Sequence, residues 1–244
     1  MYTVAVSTLV TRCYQAGGWE SNVSGGLPFM PQTEVIDKIS QSYAKWYDKI
    51  RCTTWGGQYF RKTVTFNTTS AQSFYDFGTV NMTDFLDMIS VDVYAGGPGA
   101  TKITCRPYPE EMRNIFQFFP VGLLLTWPSF YQLQGNGSGG NGINFIPQPP
   151  GSYQIGCNYT PVATVLSSTT QTIDSINGWD EWIVLDVACT MAIKDRQFDL
   201  LGALQSRLAA EDERITSAIE FRDRGNAETP HDVTTNFDSW FFDE

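Results

Sequence analysis

The chain has 244 residues, 17% charged and 42% hydrophobic, with 26 acidic against 16 basic side chains and a formal net charge of −10. That apolar content excludes a disordered chain. The acidic balance excludes a protein that grips nucleic acid by its phosphates, which needs clustered Lys and Arg. A single histidine, His231, excludes any mechanism that needs two, including most zinc enzymes.

The length predicts one large or two modest domains. The first element runs from Tyr2 to Gln15, and its second half reads as a short helix stopped at Gly17 and Gly18. A loop rich in Gly, Ser and Asn follows. Thr33 then reads as an N-cap for a helix over about 34–50. Its apolar residues Val35, Ile36, Ile39, Tyr43, Trp46, Tyr47 and Ile50 recur at three and four.

From Cys52 the texture changes. Residues 59–67 alternate and are β-branched, which predicts a strand, and 84–94 start ambiguously and end as one. Gly96 to Gly99 predict a turn, and 109–118 a short helix with Glu110 and Glu111 in its first turn. Strands follow at 130–134, 143–146 and 153–159. The glycine-rich run Gly135–Gly142 between the first two reads as a mobile hairpin tip.

Helix returns after Gly178, with Asp180 able to cap it. Trp182, Ile183, Leu185, Val187, Ala188, Met191 and Ala192 fill most of its sides, which predicts a buried helix. After a break at 195–199, a second long helix over about 200–224 carries Leu201, Leu204, Leu208, Ile215 and Ile219 on one face. Glu211, Asp212, Glu213, Arg214, Glu220, Arg222, Asp223 and Arg224 occupy the other. That charged face reads as a solvated surface or as a subunit contact. The last residues are polar and acidic, yet contain Phe237 and the adjacent rings Trp240, Phe241 and Phe242. Such rings are anchors for a partner's pocket, or the tail folds back on its own domain.

The order of elements predicts an α+β fold. N- and C-terminal helices form a helical bundle, with a large antiparallel β-rich region inserted and an extended C-terminal arm. The expected parts are 1–52, 53–177, 178–225 and 226–244.

No P-loop, nucleotide fingerprint, nucleophile elbow or zinc-protease motif occurs, and glycine-rich 135–142 has no helix behind it to hold a phosphate. Asp180 with Glu181 reads as a complement to a helix dipole. The cysteines Cys13, Cys52, Cys105, Cys157 and Cys189 are odd in number and scattered without C-x-x-C, which predicts free thiols. The first residues lack a basic flank and a sustained apolar core, so no signal peptide is expected, and no apolar run is long enough to span a membrane. No catalytic residue, cofactor or metal ligand is therefore expected.

The segment order resembles the head-to-tail adaptor, or head completion, proteins of tailed bacteriophages, especially the short-tailed kind. In that family an "L-I-x-R-A" helix leads to "E-V-x-x-x-I". Here Leu9-Val10-Thr11-Arg12-Cys13 leads to Glu34-Val35-Ile36-Asp37-Lys38-Ile39, then Trp46-Tyr47-Asp48-Lys49-Ile50. The family's "Y-x-L-x-G-N … I-x-F-x-P-x-P … Y-x-I-x-Y-x-P" hairpins are similar to Tyr131, Leu133, Gly135 and Asn136, then Ile143, Phe145, Pro147 and Pro149, then Tyr153, Ile155, Tyr159 and Pro161. Its "W-x-E-x-I-V-x-D-x-A" and later Arg and Leu positions are similar to Trp179, Glu181, Ile183, Asp186 and Ala188, then Arg207, Leu208, Arg214, Ile215, Arg222 and Asp223. Cys13 replaces a usual small residue, and residues 137–142 lengthen the hairpin tip.

The resemblance implies a structural virion protein at the head–tail interface, made in the host cytoplasm. It implies a homo-oligomeric ring, usually twelve-fold, joining the portal to the tail or nozzle, through which DNA passes without specific binding. Twelve copies would carry roughly −120 formally, which keeps a lumen non-sticky toward phosphates. On this reading the arm residues Phe237, Trp240, Phe241 and Phe242 dock on the portal or a neighbouring copy. Gly135, Asn136, Gly137, Ser138 and Asn141 reach the tail side. Glu211, Asp212, Glu213, Arg214, Glu220 and Arg222 face a subunit or the channel. Other readings are a tail-tube or nozzle subunit, or a carbohydrate-binding β module using Trp127 and Tyr131.

Overall fold

The computed structural model describes residues 3–19, 29–52, 59–95, 101–109, 128–135, 141–175 and 178–222. The fold is α+β, and the chain divides into two compact units: residues 1–56 with 163–244, and residues 57–162. The predicted turn at 96–99, all but the first residue of the predicted helix at 109–118, and the whole arm lie outside the described residues.

In the first unit, strand β1 (Thr3–Ala5) runs into helix α1 (Val6–Ala16). Val6, Leu9, Val10, Cys13 and Tyr14 are buried, one stripe at helical spacing. Gly18 takes φ 70°, a left-handed turn that favours glycine, and its N–H donates to the Gln15 carbonyl at 3.1 Å. Helix α2 (Gln32–Arg51) buries the whole predicted stripe. It starts two residues earlier than expected. Pro31 holds the extended N-cap position and accepts the Val35 N–H at 3.1 Å, so Thr33 lies inside the first turn and does not cap.

Helices α3 (Asp180–Lys194) and α4 (Phe198–Arg222) form the C-terminal pair. Helix α3 is buried nearly all round, as its composition predicts, and packs against α1, α2 and α4. Trp179 meets Trp46 of α2 edge to face at 6.4 Å between centroids. Lys45 pairs with Asp186 and Lys194 with Glu34, joining α2 to α3. A short strand, β9 (Thr172–Asp174), pairs antiparallel with β1, so the first and last thirds of the chain also share a ladder.

The corner between α3 and α4 is a Schellman turn. The Gln197 N–H reaches the Ala192 carbonyl at 2.9 Å, and the Arg196 N–H reaches the Ile193 carbonyl at 3.2 Å. Arg196 therefore occupies the left-handed position, φ 60°, usually held by glycine.

The second unit is a seven-stranded sheet, built from β2 (Lys62–Asn67), β3 (Phe74–Asp76), β4 (Phe85–Ala95), β5 (Thr101–Pro107), β6 (Phe130–Gly135), β7 (Asn141–Ile146) and β8 (Gln154–Pro161). The order is β2-β8-β4-β5-β6-β7-β3. The sheet is mixed, which corrects the antiparallel expectation: β5 and β6 pair in parallel at Arg106–Phe130 and Pro107–Tyr131. Residues 108–129 supply the long connection that a parallel pair requires. The ambiguous start of β4 has its cause in irregular register between Phe85 and Asp87 and between Met88 and Ser90.

The sheet curls on itself. Phe66 of β2, at one end of the order, packs on Tyr75 of β3 and Phe145 of β7 at the other end, with centroids 5.3 and 6.4 Å apart. Between them lies an apolar core that includes Val91, Val93, Ile143, Ile155, Cys157 and Tyr159.

On the opposite face a polar network fixes register across four strands. Asn158 is buried and fully used: its Oδ1 accepts from Arg61 and from Thr63 at 2.7 Å, and its Nδ2 donates to Ser90 and Asp92. Asp92 also accepts from Thr104 at 2.9 Å and pairs with Lys102 at 2.8 Å. A one-residue slip of β8 would leave these groups buried without partners.

At the edge of this unit Asp84 accepts from Lys62 at 2.8 Å and from the Tyr159 hydroxyl at 2.7 Å. Burial alone would raise the Asp84 pKa, but these two hydrogen bonds and the Lys62 charge outweigh it and hold the carboxyl below its ordinary value. A depressed carboxyl pKa contributes stability above the unfolded value of about 3.9 and loses it as pH falls through the folded one. Asp84→Asn is therefore expected to cost about 0.5–1 kcal/mol at pH 7, given how exposed the pair is, with the difference vanishing near pH 2–3. Urea titrations of both proteins at the two pH values check this.

Candidate interaction surfaces

Helix α1 carries one charged side chain, Arg12, on an otherwise apolar and hydroxyl-bearing sequence. The fold brings it to the start of α3. Arg12 Nη1 donates to Asp180 Oδ2 and Nη2 donates to Glu181 Oε2. Ser175 donates to the other Asp180 oxygen, and Arg207 of α4 reaches Glu181 at 3.3 Å. Asp180 is almost wholly buried, with 3% of its side chain exposed. Burial alone would lower the Arg12 pKa; the charges and hydrogen bonds of Asp180 and then Glu181 outweigh it and push it up.

This cluster revises a sequence expectation. Asp180 does not cap α3: the N-cap position belongs to Trp179, no side chain caps it, and the carboxylate is turned to Arg12. A dipole contribution remains, since both acids sit in the first turn. The signal that could have found the clamp is the lone arginine on an apolar helix, which needs a buried partner from elsewhere in the chain.

The charged face of α4 divides. Asp212 is spent within the chain, accepting from Trp182 Nε1 at 2.8 Å and pairing with Lys49 of α2. Glu211 and Arg214 pair with each other one turn apart at 2.7 Å. Glu213 is exposed. Glu220 and Arg222 belong to the last turns of α4 by their backbone.

The β6–β7 hairpin keeps its ladder to Gly135 opposite Asn141, while Asn136, Gly137 and Ser138 lie outside the described residues. Gly142, at the base, is required by close approach. A Cβ there would stand 2.4 Å from the Phe74 ring and 2.5 Å from the Tyr75 carbonyl. Gly142→Ala is expected to destabilise the protein by about 1–3 kcal/mol through displacement of β3, read as a lower urea midpoint.

Phe237, Trp240, Phe241 and Phe242 lie outside the described residues, as do His231 and Trp127. Tyr131 is buried in the sheet core, which removes it as an exposed platform for a sugar ring. At the α3–α4 corner an open cavity of ≈ 410 Å³ is lined by Arg196, Gln197, Phe198, Asp199 and Leu200.

All five cysteines are free thiols. Desolvation pushes Cys13, Cys105 and Cys157 up to about 12, so they stay protonated and unreactive at neutral pH. Among the described residues no group of three His, Cys, Asp or Glu side chains could hold a metal ion. None of the described helices is long and apolar enough to cross a membrane.

Residues 19–233 match the family model of the SU10 adaptor protein, and the chain belongs to that family. It is accordingly a phage structural adaptor and a virion component, and proteins of this kind work between other virion parts such as portal and tail. No curated protein matches the chain.

Proposed function

We propose that this adaptor is the subunit of a homo-oligomeric ring, twelve-fold by analogy, seated between the portal and the tail or nozzle of a short-tailed phage. DNA leaves through its lumen. The family match over residues 19–233 carries the reading. The net charge of −10 per copy supports it, since an acidic lumen repels the phosphate backbone and lets DNA slide.

The four described helices act as one bundle interrupted by an inserted β-rich region, within the parts 1–52, 53–177, 178–225 and 226–244. The Arg12 clamp supports this, because it ties the two ends of the sequence into a body stiff enough to hold a ring position. Glu211, Asp212, Glu213, Arg214, Glu220 and Arg222 face a neighbouring copy or the channel. The tip at Gly135, Asn136, Gly137, Ser138 and Asn141 reaches the tail side. The arm residues Phe237, Trp240, Phe241 and Phe242 anchor on the portal or the next subunit.

Loss of the gene in the phage should leave filled heads with portals but no tails, as seen by electron microscopy. Normal tailed particles from that phage would remove the reading.

A further inference from the structure

We infer that the α3–α4 corner is the docking surface for the chain's own aromatic segment, residues 237–242, folded back in cis along α4. The inference rests on the reading of the arm as an interaction element. It assigns the place the arm occupies before assembly.

The corner is apolar where it should not be. Phe198, the first residue of α4, is 68% exposed, and Ile193, in the last turn of α3, is 55% exposed. One exposed apolar side chain is ordinary. Two flanking one tight turn, beside an open cavity of ≈ 410 Å³ that Phe198 itself lines, make a seat for an aromatic ring.

One charge at the corner favours the same occupant. Arg196 lines the cavity and takes a left-handed conformation, φ 60°. Among the described residues it has no ion pair, whereas its neighbour Lys194 is held by Glu34 at 2.6 Å. Asp199 shares the lining and Asp195 adjoins it, the latter already accepting from Trp19 Nε1 and Gln197 Nε2. The segment Phe237-Asp238-Ser239-Trp240-Phe241-Phe242-Asp243-Glu244 brings three acids around its rings.

Reach allows it. Helix α4 places Phe198 about 36 Å from Arg222 at 1.5 Å per residue. The stretch from Arg222 to Trp240 spans up to about 60 Å when extended. A tethered segment competes at an effective concentration of about millimolar, so a small seat suffices. A second copy docking here would need roughly 800 Å² per partner, far more than two apolar side chains and one cavity offer. The family model ends at residue 233, so the aromatic segment lies beyond what the family match covers.

Chymotrypsin tests this on the full-length protein, since it must seat the same rings to cut after them. Cleavage at 237–242, followed by intact mass, should be at least about fivefold slower in the native protein than in Phe198→Ser with Ile193→Ser. Arg196→Glu keeps the apolar seat and should also accelerate cleavage. Far-UV circular dichroism reports that each variant is folded. Protection unchanged on hundredfold dilution is expected; protection lost on dilution would assign the corner to a neighbouring copy and overturn cis docking. Equal cleavage of all three proteins would overturn the docking altogether. Portal binding is measured on the same samples: protection without portal binding sinks the adaptor ring alone, and portal binding without protection sinks this inference alone.

Discussion

Replacing Arg12 by Met is expected to lower the unfolding free energy by about 3 kcal/mol, the largest effect of any single substitution in the helical unit. The substitution keeps an unbranched, largely apolar stem and removes the guanidinium that makes both contacts. Among the described residues, Asp180 would then be a carboxylate with 3% of its side chain exposed and one remaining side-chain partner, Ser175, and Glu181 would keep Arg207. Most of the expected loss is that desolvated charge, and little of it is the intrinsic worth of the pair. Adding Asp180→Asn and Glu181→Gln to Arg12→Met should therefore recover part of the loss, a non-additivity that urea denaturation of the set measures directly. A loss below about 1 kcal/mol for Arg12→Met would show that the cluster is effectively solvated and does not tie the chain's two ends.

Removing residues 226–244 is expected to leave far-UV circular dichroism unchanged and to lower the unfolding free energy by no more than about 1 kcal/mol, the cis docking lost with the arm, while weakening assembly with the portal ring at least about a hundredfold. The removed stretch contains Phe237, Trp240, Phe241 and Phe242. Aromatic anchors of that kind contribute about 2 kcal/mol or more each when seated in a partner pocket, so two seated rings already account for the factor. Sedimentation of portal with full-length or shortened protein provides the comparison. Equal co-sedimentation would take the arm out of the assembly mechanism and leave contact to the helices and loop tips.

Elements with strong periodicity were legible in the sequence. The apolar residues of α2 recur at three and four, and every one of the stripe from Val35 to Ile50 is buried. The all-round apolar composition of α3 correctly marks a helix packed on three others. Features set by distant partners were not legible. Thr33 has the chemistry of a cap, but Pro31 fixes the backbone two residues earlier, and local propensity yields to that geometry. Asp180 has the chemistry of a cap too, and a partner 168 positions away takes it. The parallel pairing of β5 with β6 depends on where a long connection returns, which no alternation of side chains encodes. Asn158, Asp92 and Arg61 look like ordinary polar strand and loop residues until four strands align them.

For the interaction residues, the sequence alone could not separate inward from outward charges on α4. Asp212 sits among Glu211, Glu213 and Arg214, and only the positions of Lys49 and Trp182 engage it within the chain. The resemblance to the adaptor family was legible because many weak motifs keep one order along the chain; the family match over residues 19–233 covers all of them except Leu9–Cys13.

Native mass spectrometry of the purified protein, alone and mixed with the isolated portal ring, tests the central claim most directly. The adaptor reading predicts a portal complex heavier by twelve copies of a 27.3 kDa chain. A portal ring of unchanged mass beside unbound copies of this chain would contradict it.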